Sequence, residues 1–544
     1  MKRALGKILC GATLLLGLPL TFTSCEEILG EWSKPAPVPG TPNTPTPTPT
    51  PTPASKTAGA ISYATASLAK GSQDPAFTNE LTITGDGTVS YSSSNEAVAT
   101  VDPNTGEVTP KAEGTVSITA TVSDSETYAY ETKSASYSLN VTDGYQYQKW
   151  DGSKFITQYA ATSDCQELTD AASAAWNGSK TYVAKGNVTI SGNVTVSADS
   201  KLILCDGATL TINGKLYDGG TSNNLTIYAQ SDGTKMGALN ATASMINNGD
   251  YTMRFYDLTI HGGKITATAE GASWSSCIAI ILINAFTMYG GDLTAQGNGN
   301  DGTVIELVKG VIENKSKVEV KGGNNSSGAG DAGISSTSSG GTIAVSGNAS
   351  LTVTGGSSSS DRNGRPAVSG SGATGLALTA SGNASVKLTG GNTNSTAYYG
   401  GNGLSGTVTA SGNACLEITG GNGSLGGYGI LYTLTISENA SVIVKGGNAI
   451  HASYPAGDAI DKVDYQGGSF TATGGENSSN TTYNGKGITT SITNNLGSAV
   501  DVVGFQFITD GSTWLTIDVA GGGRTLMNTE FTSSKFPRFF RTKP

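Results

Sequence analysis

Four tyrosines recur at one place in a repeating chain, and together they offer a flat, hydroxyl-bearing surface. Tyr399, Tyr428, Tyr454 and Tyr483 fall in four successive loops that follow Gly-Gly pairs. In three of these loops the tyrosine stands five or six residues before the first apolar residue of the next strand (Leu404, Ile460, Ile488); Tyr428 stands closer. If the repeats stack as coils, equivalent residues recur at ~4.8 Å. The tyrosines then form a column whose spacing is close to the rise of an extended sugar chain, and their faces and hydroxyls suit sugar stacking. The competing reading is that they pad the loops by lying on neighbouring glycines, as scattered exposed aromatics do.

The elements that must position these residues follow from the repeat. Four copies begin at Ser346, Ser381, Ser411 and Ser437, each reading Ser-x-Asn-Ala-x-[Leu/Val]-x-[Val/Leu/Ile]-x-Gly-Gly, spaced 35, 30 and 26 residues apart. A repeat of this length implies a solenoid or a propeller. Three short apolar segments per copy, such as 430–431, 434–436 and 442–444, fit one coil of a parallel β-helix better than a four-stranded blade. Uneven spacing fits too, because a coil tolerates a longer loop at one corner. Side-chain alternation points Leu351/Val353, Val386/Leu388, Leu416/Ile418 and Val442/Val444 inward, and Thr352, Lys387, Glu417 and Ile443 outward. Lys387 then faces Glu417 on the next coil, and Asn348, Asn383, Asn413 and Asn439 stack as an amide ladder at a bend.

The expected fold is therefore all-β: a small sandwich followed by a right-handed parallel β-helix of three short strands per coil, with a short N-terminal capping helix. The divisions are 1–24 signal peptide, 25–57 stalk, 58–143 sandwich, 144–180 connector and helical cap, 181–500 β-helix, and 501–544 C-terminal cap and tail. The helix is placed at 163–176 because Ser163 and Gln166 suit a capping box, Leu168, Ala171, Ala172 and Ala175 share a face, and Gly178 follows. The segments 502–507 and 514–519 read as capping strands. The basic, aromatic tail 535–544 reads as partly disordered.

The N-terminal third sets the location. Lys2, Arg3 and Lys7 precede an apolar run from Ile8 to Leu20, too short to span a bilayer as a mature helix. Ser24-Cys25 resembles a lipobox, which implies acylation of the Cys25 thiol and an outer-membrane lipid as partner. The acidic pair Glu26-Glu27 resembles the surface-export signal of Bacteroidetes lipoproteins, which implies an outer-membrane protein exposed at the cell surface. Residues 34–53 are dominated by Pro and Thr, with Thr-Pro alternation near the end, a composition that extends as polyproline II and forms a semi-rigid stalk. Residues 91–102 (Tyr-Ser-Ser-Ser-Asn-Glu-Ala-Val-Ala-Thr-Val-Asp), with Gly106-Glu-Val108 and Gly114–Ala120, resemble a bacterial Ig-like domain of the Big2 type. That resemblance implies a spacer. Residues 202–212 and the later Gly-Gly-x-[Ile/Leu]-Thr-Ala units resemble the β-helical repeats of gut-bacterial surface proteins described as carbohydrate-binding-domain-containing. This implies a polysaccharide or glycan partner.

Charge and reactive residues narrow the function. A net charge of −10 with 14% charged residues excludes a basic nucleic-acid footprint. Parallel β-helices include polysaccharide lyases, which resemble one another in pairing a Lys or Arg base with an acidic calcium cluster. Here Asp331, Asp361 and Asp458 lie in comparable loops, but Asn402 and Gly426-Gly427 interrupt the column, and Glu417 stands with Lys387. No carboxylate pair for glycoside hydrolysis emerges. His261 and His451 have no evident partners, and no CxxC pair suggests zinc. The expectation is no catalytic residue, no metal ligand and no cofactor, with calcium possible but not supported by a clear cluster. The function expected is non-catalytic glycan binding through the β-helix, for adhesion or capture. The alternatives are a lyase or hydrolase of the β-helix type and a structural or protein-binding adhesin. Of the cysteines, only Cys165 and Cys205 come near enough in sequence and coil to meet, and the favoured reading is that they are free small residues in or near the core.

Overall fold

Alternating apolar residues broken by Gly, Asn and Asp corners make short strands, and the chain is built from them throughout. The structure is a computed structural model. It describes residues 55–543 apart from 246–248, 272–276, 298–301, 326–329, 337, 339, 359–362, 366–367, 371–375, 396, 497–501, 509–514 and 528–537. The signal peptide, Cys25, residues 25–54 of the stalk, Asp361 and Trp514 lie outside the described residues, and Thr57, at the end of the expected stalk, already begins the first strand. No α-helix occurs among the described residues; strands are joined by turns and two 3-10 turns.

Between Thr57 and Thr142 the chain forms an Ig-like sandwich. Ser134–Thr142 runs antiparallel to Gly114–Val122, which in turn pairs with Val89–Ser93. Period-two alternation sends Val116, Ile118, Tyr137, Leu139 and Val141 into one core cluster with Val98 and Val108. Ala120 and Val122 join Ile61 and Tyr130 in a second. One carboxylate ties the sandwich to the connector and the β-helix. Asp74, 4% exposed, accepts from Gly71 N (2.7 Å), Gln146 N (3.0 Å) and Gln230 Nε2 (2.6 Å). Three donors on one buried acid thus join three parts of the chain.

The connector is a hairpin of Tyr145–Trp150 with Phe155–Ala160. Its turn is held by Asp151 Oδ1, which accepts from Ser153 N (2.8 Å) and Lys154 N (2.9 Å). The hairpin lies on the early coils through its rings: Tyr147 meets Tyr228 at 4.5 Å between centroids, and Trp150 meets Tyr289 at 6.2 Å.

The expected capping helix at 163–176 does not form. The segment holds a 3-10 turn at Thr162–Asp164 and two strands, Cys165–Glu167 and Ala174–Trp176. These pair in parallel with Thr181–Val183 and Val194–Val196. The physical reason is the edge of the first complete coil. Its unpaired N–H and C=O groups accept another rung, and the ladder bonds plus burial of Trp176 (1% exposed) outweigh the helical pattern of the alanines.

From there a single parallel ladder winds as a β-helix with three strand columns, the last strands excepted. In one column Leu210, Leu239, Ile265, Leu293, Val318, Leu351, Val386, Leu416, Val442 and Phe470 stack in register, all buried. In another, Leu202, Ile227, Ile260, Met288, Ile312, Val345, Ala380, Ala410, Ile436 and Tyr465 do the same. Each buried Leu, Ile or Val contributes about 1.5–3 kcal/mol, so every added coil strengthens one continuous core. The outward pair expected from the repeat is present: Lys387 Nζ lies 2.9 Å from Glu417 Oε2. So is the ladder: Asn383 donates to Asn348 (3.0 Å), Asn413 to Asn383 (3.1 Å) and Asn439 to Asn413 (3.3 Å).

The last coil is closed by reversed strands. Arg524–Met527 pairs antiparallel with Ser491–Asn494, and Phe539–Thr542 with Thr471–Thr473 and with Phe505–Ile508. Of the tail expected to be partly disordered, the described end, 538–543, holds an ordered strand, Phe539–Thr542. Phe470 ends the column with an aromatic ring that the closing strands leave only 2% exposed. Phe540, fully buried, stacks on it at 6.0 Å and touches Phe505 at 5.7 Å.

Candidate functional site

The corner that follows the column of Val386, Leu416, Val442 and Phe470, and leads to the strands beginning at Leu404, Ile430, Ile460 and Ile488, carries the loops that hold the tyrosines. Each loop leaves the coil at one glycine and returns at another, and the two are hydrogen-bonded to each other and to the next coil. Gly401 N donates to Gly391 O (2.8 Å), Gly421 N to Gly401 O (2.7 Å) and Gly427 N to Gly421 O (2.9 Å). The chain of bonds continues through Gly447, Gly457, Gly475 and Gly485 at 2.8–3.0 Å. Only glycine fits: a Cβ on Gly447 would stand 1.9 Å from Gly421 O, and one on Gly457 2.0 Å from Gly427 O. This pinch closes each loop at its base, so loops of different length leave the stack undisturbed. The short loop 422–426 replaces the longer 392–400, and that accounts for the 26-residue spacing after the 30-residue one.

A second amide ladder runs beside the pinch. Asn392 Oδ1 accepts from Asn422 N (2.7 Å), Asn422 Oδ1 from Asn448 N (2.8 Å) and Asn448 Oδ1 from Glu476 N (2.8 Å). Sequence reasoning missed it, although the Gly-Gly-Asn triplets at 390–392, 420–422 and 446–448 carry the signal.

The loops stack, and their register decides which tyrosines meet. Gly364 N donates to Tyr399 O (2.8 Å), Gly400 N to Leu425 O (2.9 Å), Gly426 N to Pro455 O (3.3 Å) and Ala456 N to Tyr483 O (2.8 Å). The column is therefore Tyr399, Leu425, Pro455, Tyr483, and not the four tyrosines. Tyr399 and Tyr483 are 52% and 40% exposed and stand three rungs apart, roughly 14 Å at ~4.8 Å per rung. Tyr428 lies in the neighbouring column with Asn402, Asp458 and Lys486: Asn402 Oδ1 accepts from Tyr428 N (2.8 Å), and Asp458 Oδ1 from Lys486 N (2.6 Å). It is half-buried, and burial with the nearby Asp458 and Asp461 raises its hydroxyl pKa. Tyr454 precedes Pro455 and turns away to pack on His451, 4.8 Å between ring centroids.

Tyr399, Tyr428 and Tyr483 line one open groove of about 840 Å³, with Leu425 and Pro455 along its length; Tyr454 is outside it. The loops carrying Tyr454 and Tyr483 are fixed by buried Asn477. Its Nδ2 donates to His451 O and Tyr454 O (both 2.9 Å), and its Oδ1 accepts from Ser479 N (3.0 Å) and Asn480 N (2.9 Å). Asp458 is half-buried at the groove wall and held by Lys486 N and Thr489 Oγ1 (3.0 Å); desolvation lifts its pKa despite those bonds. Apolar surface between two aromatic rings, flanked by amide, hydroxyl and charged groups, presents a face for stacking and partners for hydroxyls.

The other candidates are dispersed. Asp331 occupies the position of the pinch glycines, with its carboxylate accepting from Gly302 N (2.9 Å) and Gly323 N (3.3 Å), one position out of line with Asp458. Among the described residues no group of three His, Cys, Asp or Glu is placed to hold a metal ion. Cys165 and Cys205 are free, as is exposed Cys415. Register puts Cys165 two rungs from Lys201 and Cys205 four residues beyond it, roughly 16 Å, well past bridging distance. Burial raises both thiol pKa values, that of Cys165 to about 11, so neither is a reactive thiolate.

Residues 57–132 match the family model of the bacterial Ig-like domain (group 2). A search of curated proteins finds no match to the chain.

Proposed function

We propose that this chain is a cell-surface lipoprotein that binds a polysaccharide or host glycan without cleaving it, through the groove between Tyr399 and Tyr483. The observation that carries this reading is the hydrogen-bonded column Tyr399–Leu425–Pro455–Tyr483. It sets two exposed aromatic faces at the ends of an apolar strip, on a scaffold whose glycine pinch leaves the loops little freedom. Preorganised stacking faces lower the ordering cost of binding a flexible polymer. The resemblance of the early coils to carbohydrate-binding β-helical repeats supports the same ligand class. Acylation of Cys25 and export would hold the domain outside the cell, with the Pro/Thr stalk and the Ig-like domain as spacers. Labelling with a radioactive fatty acid in cells tests the anchor: the label is expected on the wild type and lost in Cys25→Ala. A glycan array with the chain from residue 26 onward tests the ligand. Binding without product release, in the presence or absence of calcium, is expected; release of oligosaccharides would establish a lyase or hydrolase instead.

A further inference from the structure

A second groove, on another edge of the β-helix, lies where the hairpin meets the early coils. It measures about 1040 Å³, and Trp150 and Phe155 line it together with His261 and the amides Gln148, Asn314 and Asn348. Its floor is bare backbone: Gly262-Gly263 and Gly290-Gly291 stack, and a Cβ on Gly290 would stand 2.8 Å from Phe155 Cζ. His261 is clamped between Tyr228 (4.8 Å, 8° between planes) and Tyr289 (5.1 Å, 30°), with Trp150 continuing the stack. Its Nδ1 accepts from Trp150 N at 3.0 Å, so the ring is neutral with the proton on Nε2. That Nε2–H has no partner among the described residues, which makes it a donor available at the groove. Ring and donor are thus fixed in place without being used up by the fold.

The charges around this groove balance. Lys264 and Lys315 oppose Asp232 and Asp292, and Lys264 Nζ is already engaged by Thr234 O at 2.7 Å. A balanced rim discourages a strongly charged ligand. Gln148 Nε2 already donates to Thr157 Oγ1 and Gln230 O, Asn314 Nδ2 donates to Tyr289 O, and Asn348 Oδ1 accepts from Asn383; the opposite amide atoms, Gln148 Oε1, Asn314 Oδ1 and Asn348 Nδ2, with the imidazole N–H, supply both donors and acceptors for vicinal hydroxyls. The aromatic wall matches the C–H face of a pyranose.

We infer that the groove bounded by Trp150, Phe155 and His261 is a separate binding site for an uncharged sugar ring. It stands apart from the Tyr399–Tyr483 groove and does not depend on it. The test uses the chain from residue 26 onward and short uncharged oligosaccharides of glucose, mannose, galactose and xylose, with tryptophan fluorescence and calorimetry as readouts. Two variants act on the groove by different routes. Trp150→Ala removes the stacking wall, and Thr234→Trp plugs the rim from an exposed position while leaving the core intact. At least one of these probes is expected to bind, with affinity falling about tenfold or more in each variant and unchanged in the Tyr399→Ala, Tyr483→Ala double variant. Loss of binding in the tyrosine variant alone would overturn this inference and leave the first groove standing. Retention in Thr234→Trp, or no binding of any uncharged probe, would overturn it as well.

Discussion

Replacing Gly427 by alanine tests how the loops are held. Its added Cβ would lie 2.1 Å from Gly401 O and 2.6 Å from Gly401 C, all backbone. Reaching an ordinary C···O contact of ~3.3 Å needs about 1.2 Å of separation, and no flexible side chain can give way. Overpacking of this kind costs about 1–3 kcal/mol. The same shift strains two bonds, Gly427 N to Gly421 O (2.9 Å) and Gly447 N to Gly427 O (2.8 Å), each worth about 1 kcal/mol. The expected cost is therefore about 3–5 kcal/mol, concentrated in coils 391–457. A solenoid need not unfold in one step, so the assay is native-state hydrogen exchange resolved by peptide, not a single melting midpoint. Peptides covering 391–457 should exchange about a hundredfold faster or more, while the Ig-like domain is unaffected. Wild-type protection across those peptides would refute the pinch.

The buried carboxylate and the clamped imidazole respond to pH in opposite senses. Burial raises Asp74 from 3.8 to about 6 despite the donors Gly71 and Gln146, so the folded state holds this proton more tightly than the unfolded chain. Its contribution to stability falls by about 3 kcal/mol as pH rises from 4 to 6. Burial lowers His261 from 6.5 to about 4, so its contribution falls by a similar amount as pH drops over that window. The wild type should therefore show a nearly flat denaturation profile between pH 4 and 6.5, Asp74→Asn should gain stability as pH rises, and His261→Gln should lose it; parallel profiles for the three would contradict the assignment. Phe540→Ala empties a buried ring site against Phe470 and Phe505 and should cost about 3–5 kcal/mol, seen as early proteolysis of the last coils. Lys387→Ala removes an exposed ion pair with both side chains about half exposed and should change stability by less than about 1 kcal/mol, measured by denaturant titration. Asn413→Ala breaks two ladder bonds, to Asn383 and from Asn439, and should cost about 1–2 kcal/mol in the same titration.

Features that repeat at a fixed offset from the strands are legible in the sequence. Lys387 beside Glu417 and the Asn348–Asn439 ladder follow from parity and copy alignment, because strand register carries that information directly. The tyrosine positions are not legible in the same way. Counting forward to the next strand aligns the tyrosines with one another, whereas the hydrogen bonds set register from the return glycine. Counting back two residues from Gly401, Gly427, Gly457 and Gly485 reaches Tyr399, Leu425, Pro455 and Tyr483, and separates Tyr428 and Tyr454 from the column. The misplaced helix has a different cause. Alanine spacing at 171–175 is a local preference, and an open rung with a tryptophan to bury is a tertiary demand that exceeds it. The closing strand at Phe539–Thr542 pairs with distant segments, Arg541 with Thr471 and Phe540 with Phe507, and a short aromatic tail carries no periodicity to announce such partners. The hairpin groove is likewise invisible in the sequence, since Trp150 and His261 meet only after the connector folds back onto the coils.

The most direct test of glycan binding is the affinity of the chain from residue 26 onward for the polysaccharide that scores highest on an array, compared with Tyr399→Ala, Tyr483→Ala and Tyr454→Ala. Sugar stacking on one aromatic face is worth about 1 kcal/mol or more, so each of the first two should weaken binding by about fivefold or more, and together by more than either alone. Tyr454→Ala, outside the groove, should bind as the wild type does. Equal loss in all three variants, or none in any, would contradict glycan binding through the Tyr399–Tyr483 groove.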